Sequence, residues 1–252
     1  MELLTIQNLG RRFGGLLALE DLCLEVPEGG LYGLIGPNGA GKTTVFNLIS
    51  GFLRPSEGRI FFAGREITQE PPHRITALGV ARTFQNIRLF QELSVLDNVL
   101  VGCHCRGRAT WGEAILRLPR YRGEAREQRA RALELLRQVG LEEAAAQPAG
   151  KLPYGHQRHL EIARALATRP RLLLLDEPAA GLNPPETLEL MNFLRLIKER
   201  YGLTLLVIEH NLRLVMALCQ HLTVLDHGLC IAAGAPGEVQ RHPEVIRAYL
   251  GS

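Results

Sequence analysis

Leu31-Tyr32-Gly33-Leu34-Ile35-Gly36-Pro37-Asn38-Gly39-Ala40-Gly41-Lys42-Thr43-Thr44 is the stretch that decides the fold. Leu31 to Ile35 reads as a short buried strand, and helical residues run from about Lys42 to Ile49. Between them, Gly36 to Thr43 fits G-x-x-x-x-G-K-[ST]. Glycines in such a loop let successive backbone N–H groups curl around phosphate oxygens, and the helix N-terminus adds partial positive charge. Lys42 can bridge the β- and γ-phosphates of a nucleotide, Thr43 can ligate Mg²⁺, and Thr44 joins the binding set. The bland alternative is a Gly-rich turn that merely opens a helix. The full motif, with a strand before it and a helix after it, outweighs that alternative.

The second half of such a site stands at Leu172 to Leu175, four leucines in a row followed by Asp176-Glu177. A continuous apolar run is what a central parallel strand requires. The acids emerge at its C-terminal end, where ligands bind in open α/β sheets. Asp176 is placed to hold Mg²⁺ through water, and Glu177 to polarise an attacking water. Two acids ending a strand would ordinarily be mere solvation, but beside a phosphate loop they read as chemistry.

Working outward, Leu3 to Asn8 and Leu17 to Val26 alternate like strands, and Pro27-Glu28-Gly29-Gly30 reads as a turn. A strand follows at Arg59 to Phe62 and another at Val80 to Phe84. From about Leu96 to Leu141 the chain turns to Arg, Glu, Ala and Leu at helical spacing, punctuated by Gly107, Gly112, Pro119 and Gly123. A helix is expected over Gln157 to Thr168, another over Pro184 to Tyr201 with Pro in its first turn, and another over Asn211 to Cys219. Strands are expected at Leu203 to Ile208 and Leu222 to Asp226. Strands alternating with helices imply an α/β fold with a doubly wound parallel sheet. We expect a helical subdomain over 86–165, inserted into a core made of 1–85 and 166–252.

The 252 residues suffice for a sizeable core. A net charge of +3 is too mild to argue for nucleic acid, and none is expected as a partner. Lysine occurs only at 42, 151 and 198, a bias that genome composition explains, though it makes Lys42 worth examining. Five scattered cysteines suit a reducing compartment. Cys103-His104-Cys105 lacks the C-x-x-C spacing and second ligand pair of a zinc site. No run approaches a membrane span and no signal pattern opens the chain, so a cytoplasmic location is expected.

With both halves of the phosphate site in place, the sequence resembles the ATPases of ABC transporters, and four further elements occur in that family's order. Gln85 matches the glutamine that contacts Mg²⁺ and the attacking water. Leu152-Pro153-Tyr154-Gly155-His156-Gln157 resembles the signature Leu-Ser-Gly-Gly-Gln and keeps Gly155 and the helix start, while Pro153 replaces the serine and removes a hydroxyl donor. Ala180-Gly181-Leu182-Asn183 sits where the family has its inter-subunit loop, with Asn183 in place of Asp. His210 matches the switch histidine that contacts the γ-phosphate. Phe13, before Gly14-Gly15, matches the aromatic that stacks on adenine; a core phenylalanine is an equal alternative. Asp176 to Pro184, Val207 to Asn211 and the ending Val245 to Gly251 are similar to the ATPases of branched-chain amino acid importers.

The resemblance covers nearly the whole chain. It implies a P-loop NTPase (RecA-like) parallel-sheet core with an antiparallel β subdomain and an inserted α-helical subdomain. It also implies ATP and Mg²⁺ as cofactors and ATP hydrolysis as the activity, with Glu177, Gln85 and His210 catalytic and Thr43, Gln85 and Asp176 serving the metal. Nucleotide would bind Phe13, Gly36, Pro37, Asn38, Gly39, Ala40, Gly41, Lys42, Thr43, Thr44 and Asn183. On the facing subunit it would meet Tyr154, Gly155, His156 and Gln157. The implied partners are a second ABC ATPase subunit, identical or paralogous, transmembrane permease subunits and, indirectly, an extracytoplasmic substrate-binding protein. The chain would be peripheral on the inner face of the cell membrane. Other ABC systems (an amide or urea importer, a lipopolysaccharide exporter) and a soluble non-transport ABC ATPase remain open here. A small-molecule kinase needs neither signature helix nor switch histidine, and a non-hydrolysing nucleotide switch is separable by an ATPase assay.

Overall fold

The computed structural model describes residues 2–107, 112, 113, 116 and 118–250. The chain divides into two compact units, one formed by residues 1–85 and 171–252 and the other by Asn86–Pro170. The second unit ends at Pro170 and not at 165, because its last helix runs on to Ala167. Residues 108–111, 114, 115 and 117, within the stretch read as helical, lie outside the described residues, as does Gly251 of the quoted ending.

The first unit holds two sheets. β1 (Glu2–Phe13), β2 (Leu16–Pro27), β4 (Glu57–Phe62) and β5 (Arg65–Glu66) form an antiparallel sheet in the order β2-β1-β4-β5. β1 runs five residues beyond the Asn8 end that its alternation suggests. Asn8 has φ 48°, and the β1–β2 register shifts between Ile6 and Leu9. Such a bulge breaks the two-residue period without ending the strand.

The other sheet has the order β10-β9-β3-β8-β7-β6. Its members are β3 (Leu31–Ile35), β6 (Val80–Arg82), β7 (Leu172–Asp176), β8 (Thr204–Ile208), β9 (His221–Asp226) and β10 (Leu229–Gly234). β6, β7, β8, β3 and β9 pair in parallel, and β10 closes the edge antiparallel. Leu172 to Leu175 are fully buried, as an all-apolar central strand must be. Each such leucine contributes about 1.5–3 kcal/mol relative to exposure. α1 (Lys42–Ile49), α2 (Pro72–Leu78), α6 (Pro184–Tyr201), α7 (Leu212–Leu218), α8 (Pro236–Val239) and α9 (Pro243–Leu250) complete the unit. One core cluster, including Leu4, Ile6, Phe46, Ile60, Leu174 and Ile208, joins both sheets and α1. β6 stops at Arg82 where a strand to Phe84 was expected.

The second unit packs α3 (Val95–His104), α4 (Pro119–Gln138) and α5 (Tyr154–Ala167) against one another. Ser94 caps α3 by accepting the Asp97 N–H at 3.0 Å. Asn98 is fully buried and satisfied: Phe90 N–H donates to its Oδ1, and its Nδ2 donates to the Phe90 and Ser94 carbonyls, all at 3.0 Å. Arg158 and Glu161 form a buried ion pair at 2.8 Å on α5.

Candidate active site

β3 delivers the chain into the loop Gly36–Gly41, and α1 leaves it at Lys42. A Cβ on Gly36 would collide with the Leu225 carbonyl oxygen, and one on Gly41 would stand 2.8 Å from that of Ala18. Gly41 also has φ 102°, so backbone closeness and a left-handed turn both require glycine there. Gly41 is the N-cap of α1 and offers no side chain to its first-turn N–H groups. Those donors and the positive helix end therefore remain available to an anion.

Lys42 is buried, and its Nζ donates to the carbonyls of Gly36 at 2.7 Å and Pro37 at 2.8 Å. Burial holds its pKa below the usual lysine range, while Glu177 and Asp176 pull in the opposite direction. The ammonium thus sits folded over its own loop, poised between the loop carbonyls and two carboxylates. Asn38, Gly39, Ala40, Gly41, Lys42, Thr43 and Thr44 line a cavity of about 430 Å³ together with Gln85 and Glu177.

Asp176 and Glu177 occupy the end of β7 and the residue after it, but their surroundings differ. Asp176 is buried, and its Oδ2 accepts from Arg82 Nη2 at 2.9 Å. Arg82 Nη1 also donates to Asn47 Oδ1 at 2.7 Å and Ser50 Oγ at 3.0 Å on or beside α1. Its guanidinium lies 5.0 Å from the Phe84 ring centroid. Glu177 takes φ 47°, a region that non-glycine residues rarely adopt. Its Oε2 accepts from Gln85 Nε2 at 2.7 Å and lies 3.6 Å from His210 Nδ1. The structure therefore gathers Gln85, Glu177 and His210 around one carboxylate, with Gln85 and Glu177 facing the phosphate loop.

The remaining expected residues are placed elsewhere. Phe13 ends β1 half-exposed, with the Arg11 guanidinium 4.6 Å from its ring centroid. The cavity lining includes Leu16, from the start of β2, and not Phe13. Asn183 caps α6 through a reciprocal pair, its Oδ1 accepting Glu186 N–H at 3.0 Å and Glu186 Oε2 accepting Asn183 N–H at 2.9 Å. Tyr154, Gly155, His156 and Gln157 form the first turn of α5 in the helical unit. The helix opens at Tyr154, not Gln157, because Pro153 takes the extended N-cap conformation, and no side chain caps the turn. Gln157 Nε2 donates to the Leu152 carbonyl at 2.9 Å, so its side chain serves the turn itself.

Two participants were not read from the sequence. His227, at the β9–β10 turn, lines the cavity; Asp226-His227-Gly228 carries only a turn signal. Arg82 falls inside the strand expected at Val80 to Phe84, and its one clue is a charged residue among Val80, Ala81, Thr83 and Phe84. Hard oxygen donors suit Mg²⁺; Thr43 and Gln85 on the cavity wall supply such oxygens. The Asp176 carboxylate, by contrast, is buried outside the cavity lining and its Oδ2 is taken by Arg82, so Asp176 serves a metal only once that bond is loosened or through its other oxygen.

Comparisons with known proteins identify the family. The ABC transporter family profile matches residues 19–180, and that of the branched-chain amino acid ATP-binding cassette transporters matches residues 230–252. The chain belongs to the ABC transporter family, as one of its nucleotide-binding ATPases. It is 45% identical over 249 residues to the high-affinity branched-chain amino acid transport ATP-binding protein BraF of Pseudomonas aeruginosa, covering 99% of this chain and 98% of BraF. It is similar to the ADP conformation of an ATP-binding cassette of an ABC transporter, with TM-score 0.87, 34% identity and complete coverage of both chains. It also resembles a dimeric post-hydrolysis cassette bound to ADP and Pi, with TM-score 0.77 and 26% identity over 92% of this chain and 98% of that one. Among the described residues no helix is long and apolar enough to cross a membrane.

Proposed function

We propose that this chain energises the import of branched-chain amino acids, as one of a pair of ATPase subunits attached to transmembrane permease subunits at the inner face of the membrane. The observation that carries the catalytic part is the Glu177 carboxylate, held by Gln85 at 2.7 Å and approached by His210 at 3.6 Å. The transported substrate rests on the 45% identity to BraF and on the C-terminal family match.

ATP entering the loop displaces the Lys42 ammonium from the Gly36 and Pro37 carbonyls onto the β- and γ-phosphate oxygens. Loop N–H groups and the open end of α1 take the remaining negative charge. Thr43, Asp176 and Gln85 would hold Mg²⁺, which supplies charge neutralisation between the β- and γ-phosphates. Glu177 orients the attacking water and accepts its proton, Gln85 fixes the carboxylate, and His210 faces the γ-phosphate. Phosphoryl transfer asks mainly for positioning and charge stabilisation, and this set supplies both. The uncapped first turn of α5 on a facing subunit would complete the γ-phosphate site. ATP then joins two subunits, identical or paralogous, and hydrolysis releases them to drive the permease between states. Pro153 contributes neither a hydroxyl nor an N–H, so that turn acts through later backbone donors such as Gly155 and His156.

Replacing Glu177 with Gln keeps the shape and removes the base. E177Q is expected to bind ATP normally and to hydrolyse it roughly 100- to 1,000-fold more slowly, by analogy with other lost general bases. Turnover at the wild-type rate in a phosphate-release assay would remove Glu177 from its role. For the substrate, a strain lacking this chain should lose high-affinity uptake of labelled leucine, and unchanged uptake contradicts the assignment.

A further inference from the structure

Glu209 is a carboxylic acid in the wrong place for a merely solvated residue. It follows β8 directly and is 1% exposed. One oxygen, Oε1, accepts the Ala179 N–H at 2.8 Å. The other, Oε2, is buried and has no hydrogen-bond partner among the described residues. Burial holds the group's pKa above the usual carboxyl range, against the pull of the Ala179 N–H and the neighbouring His210. Burying an acid with one oxygen unsatisfied is costly. Packing alone would be better served by an apolar side chain of the same size.

The turn it touches is the one that carries Glu177. Three hydrogen bonds define that turn. Glu177 N–H donates to the Ile208 carbonyl at 2.9 Å, Ala180 N–H donates to the Glu177 carbonyl at 3.1 Å, and Ala179 N–H donates to Glu209. Two of the three anchors thus come from the end of β8 and the residue after it. They hold Glu177 at φ 47°, a conformation that persists only where its surroundings over-determine it. The same segment continues into His210, which lies 3.6 Å from the Glu177 carboxylate. One short piece of chain therefore sets both the base and the histidine that faces it.

We propose that Glu209 is a positioning residue for ATP hydrolysis, its carboxylate clamping the turn after Glu177 onto the end of β8. The proposal rests on the reading of Glu177 as the base, and its test keeps the two apart. E209L fills the same volume without an acceptor, whereas E209Q keeps one oxygen to accept the Ala179 N–H. Three quantities are measured: steady-state turnover, ATP affinity by fluorescence titration, and hydrogen–deuterium exchange at the Ala179 amide. In E209L, kcat should fall roughly tenfold, the scale of a small misplacement of a reacting group. ATP affinity should stay within about twofold, since no loop contact to nucleotide is lost. Exchange at Ala179 should accelerate, and E209Q should restore both kcat and protection. Wild-type kcat in E209L overturns the clamp, as does a loss of turnover that tracks a loss of ATP affinity, or a failure of E209Q to restore it. Should E209L not fold, the Ala179 amide decides: slow exchange in the wild type and in E209Q supports the clamp, and fast exchange in either overturns it. Normal hydrolysis by E177Q would instead sink the reading of Glu177, whatever Glu209 does.

Discussion

Asp176 and Glu177 are neighbours in the chain with opposite circumstances. Asp176 faces the buried guanidinium of Arg82, so two charges are removed from water together. Breaking such a pair from one side leaves an uncompensated buried charge and typically costs about 3–5 kcal/mol. R82M is therefore expected to lower the unfolding free energy by about that amount, read from the midpoint of a urea titration. A loss under about 1 kcal/mol would place the pair among those with no structural weight. At this scale the sequence was legible wherever meaning is local. Gly36, Gly41, Lys42 and Thr43 announce themselves because a loop that wraps phosphate needs those residue types at those spacings. Arg82 and Glu209 were not legible, since their partners Asp176 and Ala179 lie far along the chain and become neighbours only once β6, β7 and β8 are paired.

Elements show the same division between local and acquired meaning. The four leucines of β7 read as a buried strand, and α6 was legible at its start through Pro184, while the Asn183–Glu186 capping box that fixes that start emerges only from the structure. β1 was cut short because the bulge near Asn8 interrupts its alternation. β10 went unread because an edge strand, half-exposed along most of its length, has no period strong enough to see. α7 is followed at its C-cap by Cys219, a thiol whose pKa burial pushes up to about 12. That thiol ionises more readily in the unfolded chain than in the folded one. Its contribution to stability is therefore intact below the ordinary thiol range and is lost as pH climbs from that range toward 12. Thiolate is the reactive form, so iodoacetamide at pH 8 should label the exposed Cys23 and leave Cys219 untouched until the protein unfolds. Mass spectrometry reads the two sites separately, and equal labelling rates in the folded protein would contradict the burial argument.

For the molecule as a whole, alternating strand and helix signals were enough to expect a doubly wound parallel sheet, and the sheet order β10-β9-β3-β8-β7-β6 realises it. The phosphate loop leaves β3, the acids leave β7 and the histidine follows β8, all at C-terminal strand ends, where open α/β sheets present ligands. Sheet topology thus converts three separated motifs into one site. What the chain moves across a membrane was legible only through likeness to relatives, because an energising subunit of this design carries the nucleotide chemistry, and none of its candidate site residues is assigned to an amino acid. The central claim is that a nucleotide triphosphate is held by the loop around Lys42. Fluorescence titration of ATP into the wild-type protein and into K42A tests it most directly, with circular dichroism confirming that both are folded. Saturable binding in the wild type and a loss of at least about 100-fold in K42A is the expected result, on the scale of a deleted charged phosphate contact. Equal affinity in the two folded proteins would contradict the account at its root.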